Sequence, residues 1–62
     1  MKIIDKKDNP ATLVVVETDD NKKISYRRLS ATAWDRYEGI GKWEVVDEKT
    51  TNELEKLFKN SN

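Results

Sequence analysis

Neither cysteine nor histidine occurs anywhere in this chain of 62 residues. Their absence removes every disulfide and every thiolate or imidazole metal site, so packing and hydrogen bonds alone must hold the fold. A chain this short forms one domain, here 1–62, and buries only about 60% of the surface that its unfolded state exposes. The core is therefore small, and most of the large apolar side chains are needed to build it.

The clearest element is Thr12–Thr18 (Thr-Leu-Val-Val-Val-Glu-Thr), β-branched through most of its length and closed by the turn-forming triplet Asp19-Asp20-Asn21. Beyond the triplet, Lys22–Leu29 alternates, with Ile24, Tyr26 and Arg28 on one side, and forms the second arm of a hairpin. A tight two-residue turn at Asp20-Asn21 sets Val15 opposite Tyr26 and puts Leu13, Val15, Ile24 and Tyr26 on one face. Val14 and Val16 then take the other face, and a bulge in the turn would swap these roles.

Residues 30–41 have two readings. One is a short helix capped by Ser30 and closed by Gly39. The other, which we prefer, is a strand over Ala33–Glu38, a turn at Gly39-Ile40-Gly41 and a returning strand over Lys42–Val46. From Asp47 onward the pattern is helical over about 48–59, with Asp47 or Thr50 as cap and an apolar stripe of Leu54, Leu57 and Phe58. Glu55 and Lys59, four apart, fall on its outer side. Residues 1–11 read as a lead-in in which Pro10 biases Asn9 towards an extended form, with Ile3 and Ile4 either a short edge strand at 2–4 or disordered. Residues 60–62 form a polar tail. The expected fold is α+β: an antiparallel β-meander of three or four strands over 12–46 with one carboxy-terminal helix packed on a face.

The composition argues against most chemistry. Nucleophilic catalysis needs a base beside the nucleophile, and without histidine or cysteine only Ser/Lys pairs or carboxylate pairs remain. The carboxylates sit at turns, caps and alternating strand positions, where solvation or capping explains them. Asp19-Asp20-Asn21 lacks the further oxygen ligands of a calcium loop, and Gly39-Ile40-Gly41 lacks the Lys and Ser/Thr of a phosphate loop. The expectation is a protein that is not an enzyme and has no catalytic, cofactor-binding or metal-binding residues. Arg27-Arg28-Leu29-Ser30 resembles substrates of basophilic protein kinases, although Ser30 is equally explained as a cap or strand end.

One constellation remains: Trp34, Tyr37 and Trp43 among Arg27, Arg28 and Arg36, with Tyr26 and the Lys22-Lys23 pair beside them. Trp, Tyr and Arg are enriched in protein-protein hot spots, and aromatics among cations can also stack single-stranded bases. Twelve basic residues balance twelve acidic ones, which removes the general attraction to phosphate. Protein binding is therefore the preferred reading, through Arg27, Arg28, Trp34, Arg36, Tyr37 and Trp43. Nucleic-acid binding is the alternative, and a structural subunit of a larger assembly the third. The chain is expected as a monomer or as a homodimer, the latter formed through Thr12–Thr18 if that strand lies at a sheet edge. No apolar run approaches a membrane span, and with cysteine absent a cytoplasmic setting is expected. In size and style the chain resembles small stand-alone proteins encoded by phages and prophages, many of which bind and inhibit host proteins. That resemblance implies a regulator and assigns no residue a role.

Overall fold

The computed structural model describes residues 1–8 and 11–60. Five strands and one helix follow in chain order: β1 Lys2–Lys7, β2 Thr12–Glu17, β3 Lys23–Ser30, β4 Ala33–Gly39, β5 Lys42–Val45 and α1 Glu48–Asn60. The strands form a single antiparallel meander, each beside its sequence neighbour. This is the expected α+β fold with one strand more, because Ile3-Ile4 belong to a full edge strand that runs on to Lys7. The reading of Asn9 before Pro10 lies outside the described residues, as do Ser61 and Asn62. The ambiguous segment 33–46 is the strand pair, and the helix reaches Asn60, into the expected tail.

The β2–β3 hairpin corrects the register. Its connection is Asp19-Asp20-Asn21, closed by the Thr18 amide on the Lys22 carbonyl (2.8 Å) and the Asn21 amide on the Thr18 carbonyl (3.0 Å), with Asn21 at φ 65°. A three-residue loop ending in a left-handed residue shifts the pairing by one from that of a two-residue turn. Val14 therefore lies opposite Tyr26, and Val16 opposite Ile24. A one-residue slip exchanges the faces of a strand, so Val14 and Val16 enter the core while Leu13 and Val15 take the opposite side. The strand Thr12–Glu17 also lies inside the sheet, between β1 and β3, so it offers no edge to a second copy.

One face of the sheet is covered by α1, which crosses from β4 to β1. Asp47 starts the helix by accepting the Thr50 amide on its side chain (2.8 Å), which holds that carboxyl below its ordinary value. Beneath the helix, Val14, Val16, Tyr26, Trp34 and Leu54 form the buried core, flanked by Ile3, Ile24, Val46 and Phe58. The helix presents Thr51, Leu54, Glu55 and Phe58, an i, i+3, i+4, i+7 stripe. Glu55 thus faces the sheet, not the outer side as its spacing from Lys59 suggests.

The reason lies in its partners. Glu55 accepts a bidentate pair from Arg28 (2.6 and 3.1 Å) and the indole N–H of Trp34 (2.8 Å). Arg28 and Trp34 are cross-strand partners, so one carboxylate joins β3, β4 and α1. Phe58 completes the packing with its ring edge-to-face to Trp34 at 5.8 Å and the Arg28 guanidinium over it at 4.9 Å.

Candidate functional site

Among the described residues, no helix covers the other face of the sheet. A bulge at Ile4 in β1 turns Asp5 and Lys7 onto this face beside Val15 and Leu13. Ser25 and Arg27 follow on β3, then Asp35 and Tyr37 on β4 and Trp43 on β5. Ser25 is small and lies on the strand between larger neighbours. The result is a mostly apolar cleft of 280 Å³ lined by Asp5, Lys7, Leu13, Val15, Ser25, Tyr37 and Trp43, with part of Val14.

Its aromatic wall is fixed in place. Trp43 and Tyr37 pack at a tilt, with ring centroids 5.2 Å apart. The Arg27 guanidinium lies 4.5 Å from the Trp43 ring and donates to both oxygens of Asp35 (3.1 and 2.5 Å). Asp35 is buried, and this bidentate pair satisfies it while holding the guanidinium above its ordinary pKa. The Tyr37 hydroxyl accepts the Gly41 amide (3.0 Å), which ties the ring to the β4–β5 turn. Tyr37 keeps 41% of its surface exposed, enough to serve as a contact.

The six residues selected from the sequence divide between the two faces. Arg27, Tyr37 and Trp43 come together on the open face. Trp34 has no exposed surface and belongs to the core. Arg28 points under the helix to Glu55, and Arg36, on the same side, pairs with Glu38 (2.6 Å). Each carboxylate raises the pKa of its arginine, so all three guanidiniums are already engaged. Tyr26, grouped with these residues by sequence, is buried.

The lining residues Asp5, Lys7, Leu13, Val15 and Ser25 were not among those selected. The signal for them was the length of the Asp19–Asn21 loop, which sets the face of β2. Among the described residues no cluster of three metal-ligating side chains occurs, and no helix is long and apolar enough to cross a membrane.

No family model, curated protein or solved structure matches this chain. The functional reading therefore rests on the geometry of the two faces.

Proposed function

We propose that the chain is a small, non-enzymatic protein-binding module or regulator of the cytoplasm that holds a partner on the open sheet face. The observation that carries this reading is the cleft, an apolar floor of Leu13 and Val15 walled by Tyr37 and Trp43 on the face that α1 leaves bare. Rigid aromatics beside an apolar depression are the usual makings of a hot spot, since they give large contact area at little entropic cost. Nucleic-acid binding is less well supported. Arg27 is committed to Asp35, while Arg28 and Arg36 lie on the other side of the sheet. The aromatic wall thus lacks the uncommitted guanidiniums that phosphates would need.

Peptides selected from a random library against the folded chain test this reading. Binding in the cleft is expected to weaken by about 2 kcal/mol with either Tyr37→Ala or Trp43→Ala, and to be unaffected by Lys56→Ala on the helix. Far-UV circular dichroism checks that each variant is folded. Selected peptides that ignore both aromatic variants, or a single-stranded oligonucleotide that binds with a steep salt dependence, would overturn it.

A further inference from the structure

The meander has two edges, and they differ. β1 carries Lys2, Lys6 and Lys7 and a bulge at Ile4, devices that discourage pairing with another strand. β5 has no bulge of its own partway along Lys42–Val45, and the two most exposed large apolar side chains lie in it or next to it: Val45 at 73% and Ile40 at 103%.

The ladder shows which backbone groups of β5 point outward. The Val46 amide donates to the Trp34 carbonyl at 3.1 Å, and Glu44 lies opposite Arg36. In an antiparallel pair, bonding direction alternates along the strand. Glu44 and Val46 therefore bond inward to β4, and Trp43 and Val45 present their amides and carbonyls to the edge.

We propose that two copies of the chain pair β5 against β5, antiparallel about a two-fold axis at Trp43, and form a continuous ten-stranded sheet. Outward groups must meet outward groups, which allows Trp43 opposite Trp43, Trp43 opposite Val45, or Val45 opposite Val45. The second sets Glu44 against Glu44 of the second copy, a like-charge pair, and the third sets Glu44 against the apolar Val46 of the second copy and gives it no partner charge. The first sets Lys42 opposite Glu44 of the second copy, twice by symmetry. One register of the three thus pairs opposite charges across the axis. The zero net charge of the chain adds no long-range repulsion between copies.

Both charged residues of this pairing lie on the helix side of β5, away from the cleft, so the dimer and the cleft can fail separately. Sedimentation velocity from micromolar to millimolar concentration tests the dimer, with circular dichroism as the folding control. The native chain is expected to dimerise as concentration rises. Lys42→Glu and Glu44→Lys, each alone, place like charges across the axis and are expected to weaken the dimer by about tenfold. An equimolar mixture of the two variants restores opposite charges at both positions and is expected to form the heterodimer. A native chain that is monomeric throughout, a dimer indifferent to either charge swap, or folded variants that do not re-pair on mixing would overturn the proposal.

Discussion

Glu55 joins β3, β4 and α1 through a single carboxylate. Its carboxylate is held below its ordinary value of 4.5, chiefly by the bidentate bonds from Arg28 and further by the Trp34 indole, against the opposing effect of burial. A group with a depressed folded pKa contributes stability that is complete above its unfolded value and is lost as pH falls through the folded one. The chain is therefore expected to lose stability as pH drops below 4.5, and Asp47, depressed by its capping bond, acts in the same direction. Glu55→Gln should cost about 2 kcal/mol at neutral pH, because Arg28 loses its ionic partner, and the gap from the native chain should narrow as the solution is acidified. Urea denaturation at several pH values measures both. Trp34→Ala should cost about 4 kcal/mol, of the same order as the total stability of a domain this size. A neutral quencher separates the two indoles: replacing Trp43 by Phe should leave a shielded emission from Trp34, whereas replacing Trp34 should leave an accessible one, provided the milder change to Phe keeps the chain folded. The place of Glu55 was legible in part. Thr51, Leu54, Glu55 and Phe58 have helical face spacing, but a glutamate four residues before a lysine reads as a surface pair unless Arg28 and Trp34 are known to lie beneath it.

Element by element, the strands and the helix follow from local pattern. β-branched runs, turn triplets and the aspartate cap each specify their own segment, and they correctly resolve 33–46 as two strands. Which face each strand shows was not legible to the same degree, because it depends on a single residue in the β2–β3 loop. Counting two loop residues or three decides whether Val14 or Val15 enters the core. That one count also decides which residues line the open cleft. The β4–β5 turn breaks a local rule: Ile40 and Gly41 both have positive φ (57° and 70°), a geometry that favours Asn-Gly and strains a β-branched residue. Ile40→Asn is accordingly expected to stabilise the monomer by about 1 kcal/mol, read from thermal unfolding at low concentration.

At the scale of the whole molecule, the two faces of the sheet do different work. One is closed by α1 and the Arg28–Glu55 ion pair, and the other exposes an apolar cleft beside the internally paired Arg27 and Asp35. This division could not be read from composition, in which acids and bases simply balance, because it arises from which arginine meets which carboxylate. The order of the strands has a further consequence for how the chain reaches this state. Every strand pairs with its immediate neighbour in sequence, so the sheet can assemble by closing short loops one after another, at little entropic cost. The helix is tied back over longer separations, 21 residues from Trp34 and 27 from Arg28 to Glu55. A meander formed early and a helix docked late would make the loss of Glu55 felt mainly as faster unfolding, with the rate of folding scarcely changed.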